Sequence, residues 1–316
     1  MAGGGWACDG RNADWMSRLP AEARDVPLWD LAIPGSHDTM SFCLDVSSPV
    51  LLSESCFLIM MDRLFPCWTR PCVYRWATTQ NFTISEQCDL GVRFFDLRIA
   101  KKPSGDRVYF AHGLYTLQTV KEALWELACW LQAHPTEVTL VSCSHFYHMT
   151  DSDHTQLVNY IITLFRDKVC PPQYTPTLRS CWSRGHQVIV SYDDQQVAVQ
   201  HPQLWPPIPY RYADSADPQK VISYLEEQKT KGRPAWFFAS GLNLTEDGQY
   251  VFCHPLQSMR KMTMKALSQL LQWVSEQRPG PQLDGLNILC CDFIGISYFC
   301  SLVIGLNHRP VAKARE

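Results

Sequence analysis

Leu31-Ala32-Ile33-Pro34-Gly35-Ser36-His37-Asp38-Thr39 is the stretch on which the reading of this chain turns. An apolar run over residues 28–33 reaches Pro34-Gly35, and a titratable pair, His37-Asp38, follows at once. The pattern predicts a buried strand that ends at the turn, with an imidazole and a carboxylate set just past its C-terminal end. In parallel α/β sheets and barrels that edge is where chemistry collects. The same residues also suit a plain turn in which Ser36 or Asp38 caps the next helix. Partners for the histidine elsewhere in the chain decide between the two.

Downstream, strand and helix patterns alternate. Thr83-Ile84-Ser85-Glu86 has capping-box spacing and predicts a short helix that ends at Gly91. Residues 92–99 read as a strand with Phe94, Asp96 and Arg98 on one face and Phe95, Leu97 and Ile99 on the other. With the apolar set against a helical shell, Asp96 and Arg98 point into a barrel lumen. A strand at 108–111 leads to His112-Gly113. A second capping box, Thr119-Val120-Lys121-Glu122, opens a helix whose buried face is Val120, Ala123, Leu124, Leu127, Ala128 and Leu131.

Further strands are expected at 138–142, 187–192, 235–240 and 286–292, and helices at 157–169, 219–231, 259–277 and 296–307. Strict alternation predicts a parallel α/β architecture. The link between the strands at 92–99 and 108–111 is too short for a parallel crossover, so that pair must be an antiparallel hairpin or an irregular corner. The expected fold is α/β, a single irregular (distorted) TIM-type β/α barrel over residues 14–308. A flexible N-terminus (1–13) and a loose C-terminal tail (309–316) flank it.

At 316 residues such a barrel is a usual single domain. Apolar residues at 46% and charged residues at 19% are ordinary for a globular protein. A net charge of −3 gives no broad attraction to nucleic acid or anionic lipid. The 14 cysteines are scattered through apolar runs, with no C-x-x-C pair and no Cys/His spacing suited to zinc, which points to reduced thiols in a cytoplasmic protein. No signal peptide or N-myristoylation pattern is visible, and no apolar stretch is long enough to span a bilayer.

The chemistry collects at the strand ends: His37 and Asp38, then Asp96 and Arg98, then His112, then Ser144 and His145, then Asp292. Two histidines, several carboxylates and an arginine at one mouth are equipment for general acid–base attack on a phosphodiester. One neutral imidazole accepts a proton from the attacking hydroxyl, and a protonated one delivers a proton to the leaving oxygen. The arginine fork suits the nonbridging phosphate oxygens. Asp96 and Arg98 also allow a simpler reading as a structural ion pair.

Three motifs in order, Pro34-Gly35-Ser36-His37-Asp38-Thr39, Gly91-Val92-Arg93-Phe94-Phe95-Asp96-Leu97-Arg98 and Phe110-Ala111-His112-Gly113, resemble the X region of phosphatidylinositol-specific phospholipase C. The chain is most similar to the single-domain X-domain-containing proteins of animals. The similarity extends over residues 14–307 and includes Leu204-Trp205-Pro206, Gly241-Leu242-Asn243-Leu244-Thr245-Glu246 and Cys291-Asp292-Phe293-Ile294-Gly295. The resemblance implies a distorted TIM barrel that cleaves phosphatidylinositol to diacylglycerol and a cyclic inositol phosphate.

Carried over by motif, it implies His37 as general base, His112 as general acid and Arg98 as stabiliser of the pentacovalent phosphate. Asp38 and Asp96 support the acid side, and Asp292 orients His37. The family's calcium-dependent enzymes carry an asparagine after the first histidine and a Glu-x-Asp pair on the second strand. Asp38 and Asp96-x-Arg98 stand there instead, so no cofactor and no calcium are expected.

Where the bacterial pattern has a lysine at the end of the fourth strand, this chain has Ser144. Ser144, Tyr192, Asp193 and Trp205 are candidates for the headgroup pocket. His145, His148, His154, His186, His201 and His254 are assigned no role. Trp125, Trp130 and the Trp236-Phe237-Phe238 run are expected in the core, and Trp68 and Trp76 are candidates for a bilayer interface. The expected partner is phosphatidylinositol in a membrane surface, met peripherally by a monomer with no nucleic-acid contact. The alternative is a weakly active or inactive barrel that binds phosphoinositides or inositol phosphates.

Overall fold

Alternating inward and outward side chains on a curled sheet organise the structure, a computed structural model that describes residues 12–309 other than 104 and 255, without the side chains of 249 and 252. The ends expected to be loose fall largely on residues 1–11 and 310–316, outside the described residues. Asn12 and Ala13, also counted in the flexible N-terminus, are tied in. Asn12 donates to the Leu90 carbonyl, and the Ala13 carbonyl accepts from Arg93.

The strands are β1 (Ile33–Ser36), β2 (Phe94–Lys101), β3 (Val108–His112), β4 (Leu114–Thr119), β5 (Thr139–Tyr147), β6 (Val188–Tyr192), β7 (Tyr210–Arg211), β8 (Ala239–Gly241) and β9 (Ile288–Cys291). They form one nine-stranded sheet. Its parallel part runs β7-β8-β9-β1-β2-β5-β6. No ladder joins β6 to β7 among the described residues. Trp205 closes part of that gap through a single parallel bridge to Ser191. The outcome is a distorted, incompletely closed β/α barrel.

Parity along the strands separates two cores. Outward residues Phe95, Leu97, Ile99, Val141, Cys143, Val188 and Val190 pack against the helices. Helix Val120–Ala133 contributes Val120, Ala123, Leu124, Leu127 and Leu131 to that layer, and its Thr119 capping box is formed. Inward residues Ile33, Phe94, Leu140, Ile189, Ala239 and Ile288 fill the base of the lumen, with Trp205 and Phe237 beside them. One step further along each strand the lumen turns polar or small: Asp96 pairs in register with Ser142, and Gly35 and Gly241 with Cys290. The next step reaches the mouth.

Several expectations shift here. The opening strand is not 28–33. Leu28–Asp30 is a 3₁₀ turn, and β1 runs on through Pro34 and Gly35 to Ser36. Pro34 is tolerated because the ladder uses only its carbonyl, which accepts from the Arg93 amide. Gly35 is there for space, not for a turn: a Cβ would lie 2.6 Å from Cys290 Sγ and 3.0 Å from the Phe94 ring. β3 does pair antiparallel with β2, and β4, which the sequence pattern did not reveal, extends the hairpin.

Trp130, Phe237 and Phe238 are buried, but Trp125, on the solvent face of helix Val120–Ala133, and Trp236, in the bend before β8, are exposed. Of the two interface candidates, Trp68 is 83% exposed, whereas Trp76 is buried and packs edge-on against Tyr250. No helix of the described residues is long and apolar enough to cross a membrane.

Candidate active site

His37 stands one residue past β1, where the lumen opens. Its backbone is clamped from behind. The carbonyl accepts from Gln80 Nε2 at 3.0 Å and from Thr79 Oγ1 at 3.2 Å, and Gln80 also donates to the Cys291 carbonyl at the end of β9. The imidazole Nδ1 is 2.8 Å from Asp292 Oδ1, so that nitrogen carries the hydrogen and the free edge, Nε2, faces the cavity. There Nε2 lies 2.8 Å from Arg98 Nη2 and 3.1 Å from Asp38 Oδ2. When neutral it accepts from Arg98. When protonated it has a carboxylate to receive the new N–H.

Asp38 occupies left-handed backbone (φ 43°), and its amide donates to Asp96 Oδ2 at 3.2 Å. This turn brings its carboxylate beside Arg98 and both imidazoles at once. Arg98 Nε is 2.7 Å from Oδ1, and His37 and His112 Nε2 are 3.1 and 3.3 Å from Oδ2. The Arg98 N–H is not aimed along the short contact, so it is a contact of charges and not an aligned hydrogen bond. Burial alone would raise the Asp38 pKa, but Arg98, followed by the two imidazoles, holds it down to about 2. Arg98 is completed by Asp96 at 3.4 Å.

His112 reaches the site from the opposite direction. Because β3 runs antiparallel to β2, its C-terminal end descends toward the mouth. The register, with Phe110 opposite Ile99, sets His112 level with Asp96 and Arg98. Its Nδ1 donates to the Ala77 carbonyl at 2.7 Å, and its ring centroid lies 6.2 Å from that of His37.

Burial pushes the His37 pKa down, and the Asp38 and Asp292 charges outweigh it, so the imidazole ends above its ordinary value. Asp292 does not shift as the carboxylate of a simple ion pair would. It is raised, chiefly because it is wholly buried, and its Oδ2 has no hydrogen-bond partner. The buried His37–Asp292 pair holds a proton between Nδ1 and Oδ1 in a dry site.

His37, Asp96, Arg98 and His112 border a cavity of about 620 Å³, also walled by Ser144, Asp193, Tyr210, Asn243 and Glu246, with Asp38 and Asp292 buried behind them. The structure thus brings together all six expected catalytic side chains, His37, Asp38, Asp96, Arg98, His112 and Asp292, and two of the four headgroup candidates, Ser144 and Asp193. The other two are corrected. Tyr192 points outward on β6, stacks on Phe146 and bonds His154 Nδ1 through its hydroxyl at 2.8 Å. Trp205 lies at the base of the lumen, its Nε1 donating to the Cys170 carbonyl at 2.7 Å.

His145, assigned no role from sequence, is on the cavity wall, its Nδ1 2.8 Å from Ser144 Oγ. Sequence reasoning also missed Glu246 and Tyr210. Glu246 closes the Gly241-Leu242-Asn243-Leu244-Thr245-Glu246 motif just past β8, a position that marks a mouth residue. Tyr210 sits on a strand of two residues and offered no such signal.

His37, Asp38 and Asp96 present ligand atoms within 4.8 Å of one another, a set that could hold a cation. Arg98 already sits among those carboxylates, so a positive charge is supplied from the chain itself.

Comparison with known proteins places this geometry in context. No family model matches the chain. It is 52% identical over 299 residues to PI-PLC X domain-containing protein 1 of Danio rerio, across 93% of this chain and 96% of that one. It is 45% identical over 304 residues to PI-PLC X domain-containing protein 1 of Homo sapiens, across 96% and 94%. Two solved structures share the barrel at low identity. They are the phosphatidylinositol-specific phospholipase C from Listeria monocytogenes (TM-score 0.64, 17% identity, 94% of this chain and 99% of that chain) and a mutant of the Staphylococcus aureus enzyme (TM-score 0.66, 16% identity, 94% and 96%). With relatives of this identity aligned over nearly its whole length, the chain belongs to the PI-PLC X domain-containing proteins.

Proposed function

We propose that this protein is a metal-independent phosphodiesterase that cleaves phosphatidylinositol at the glycerol–phosphate bond. The observation that carries the reading is the pair of imidazoles, His37 and His112, facing each other across 6.2 Å with Arg98 and Asp38 between them. His37 Nε2 takes the proton of the inositol hydroxyl next to the phosphate, and that oxygen attacks phosphorus. The phosphorus–oxygen bond to glycerol breaks, and His112 Nε2 delivers a proton to the departing oxygen. Diacylglycerol and a cyclic inositol phosphate result, with one proton moved from the hydroxyl to the leaving group. Each proton transfer is typically worth about 10²–10⁴-fold in rate.

The tautomers suit these roles. Asp292 and the Ala77 carbonyl hold the two Nδ1 hydrogens, which leaves both Nε2 atoms for chemistry. Asp38 Oδ2 lies 3.3 Å from His112 Nε2, the nitrogen that delivers the proton, and Arg98 neutralises the nonbridging oxygens as charge builds on them. The cation that a carboxylate-rich phosphodiesterase site would draw from solution is here covalently attached. Peripheral contact with a lipid surface would bring the headgroup to the mouth.

Turnover of radiolabelled phosphatidylinositol in vesicles, with and without EDTA, tests the reading. Turnover in EDTA that is lost in both H37A and H112A supports it. Loss in EDTA rejects the metal-free chemistry, survival in both variants rejects the roles, and binding without turnover makes the protein a lipid-binding barrel.

A further inference from the structure

The walls of the cavity carry a charge pattern that bears on which headgroup fits. Among the described residues that line it, Arg98 is the one lysine or arginine. That guanidinium is already matched by Asp38 and Asp96, and it is the group the diester phosphate needs. Histidines apart, the remaining charged residues of the wall are Glu54, Asp193, Asp214 and Glu246, all acidic. Asp193 and Asp214 are exposed at the rim, where salt screens them, but Glu246 lies deeper and is half-buried.

Glu246 is also fixed in place. Thr245 before it donates its amide to the Ser215 carbonyl, and Asp247 after it caps helix Gly248–Cys253 by accepting from the Tyr250 amide. Burial, opposed by a hydrogen bond from its own backbone and reinforced by the Asp292 charge, pushes the Glu246 carboxyl up to about 7. A carboxyl so poised both accepts and donates a hydrogen bond, which is what a ring hydroxyl asks of its partner. Asn243 and Ser144 on the same wall offer uncharged polar partners of the same kind. A ring phosphate, with its charge of about −1.5 to −2, would meet these acids and no lysine or arginine beyond Arg98.

We infer, on the phosphodiesterase reading above, that the headgroup this cavity accepts is an inositol ring bearing no phosphate beyond the diester, and that Glu246 is the residue that enforces it. Discrimination of this kind works by repulsion of the wrong ligand more than by attraction of the right one.

Calorimetric titration of the full chain at pH 8 with glycerophosphoinositol and with its 4-phosphate tests the inference without relying on catalysis. Wild type is expected to bind the unphosphorylated compound at least about tenfold more tightly, and E246K to reverse that order. Should E246K fail to melt cooperatively, the isosteric E246Q decides, its preference expected to shrink at least about threefold. The inference is overturned if wild type binds the 4-phosphate as tightly or more tightly, if neither compound binds, or if the folded Glu246 variants keep the wild-type preference. Phosphatidylinositol turnover, measured alongside, separates this failure from that of the parent reading. Preferential binding without turnover rejects the phosphodiesterase and leaves the selectivity, while turnover without preference does the reverse.

Discussion

His37 Nε2 lies 2.8 Å from Arg98 Nη2, so the reactive nitrogen of the residue assigned as base, when neutral, accepts from the residue assigned to the phosphate. A substrate phosphate that takes over the Arg98 fork would release that nitrogen to accept a proton. Binding and activation of the base are thereby linked through a single contact.

The two imidazoles have separable roles, which a change of leaving group exposes. On phosphatidylinositol, H37A and H112A are each expected to lose about 10²–10⁴-fold in kcat. On an aryl inositol phosphate, whose phenolate departs without a proton, H112A recovers most of that loss and H37A does not. Equal losses on both substrates would exchange or dissolve the assignments.

Acidic pH tests the His37–Asp292 contact. The base works only when neutral, and its pKa is raised above the ordinary 6.5 by burial's being outweighed by Asp38 and Asp292. The acid limb of kcat/KM therefore falls above pH 6.5 in wild type. In D292N one of the raising charges is gone, so the limb is expected to move to lower pH while the plateau rate drops. A pH–rate profile of both proteins checks the direction, and a limb that moves upward contradicts it.

Removing the tethered cation opens the site to a free one. In R98A the ligand atoms of His37, Asp38 and Asp96, within 4.8 Å of one another, lose the positive charge that neutralises them. Calcium is expected to raise the melting temperature of R98A and leave wild type unchanged. Equal shifts in the two proteins would mean that Arg98 does not take the place of a metal.

Away from the cavity, Arg93 and Glu137 form a fully buried pair. Glu137 accepts from Arg93 Nε at 3.0 Å and Nη2 at 2.6 Å, and Arg93 also donates to the carbonyls of Cys88, Val92 and Ala13. E137A strands a charge in the interior and is expected to cost about 3–5 kcal/mol in urea unfolding. R93A, which strands the carboxylate, should cost a similar amount.

Gly35 is tested by the smallest possible addition. In G35A the new methyl group meets Cys290 Sγ and the Phe94 ring, and about 1–3 kcal/mol of stability is expected to be lost through overpacking. A neutral result would mean that the lumen yields at this level.

Legibility in the sequence followed the distance over which each cause acts. Capping boxes at Thr83 and Thr119 and the parity of Phe94, Asp96 and Arg98 depend on neighbours a few residues away, and they formed where the pattern placed them. Tyr192 shows the same rule neglected. Its parity with Val188 and Val190, both packed outward, already argued against a place in the pocket. The extent of β1, the hairpin partner β4 and the placement of Tyr210 were not legible, because each depends on a neighbouring strand remote in sequence.

The sequence by itself therefore determined the alternating architecture, the inward face of β2 and the set of chemically capable groups, since periodicity and residue type are local properties. Tertiary structure alone decided that Asp38 bridges Arg98 and both histidines, that His112 descends on an antiparallel strand to meet them, and that Glu246 enters the cavity. Those facts rest on a left-handed turn, an antiparallel register and a loop anchored at both sides. Each is set by contacts between segments far apart in the chain.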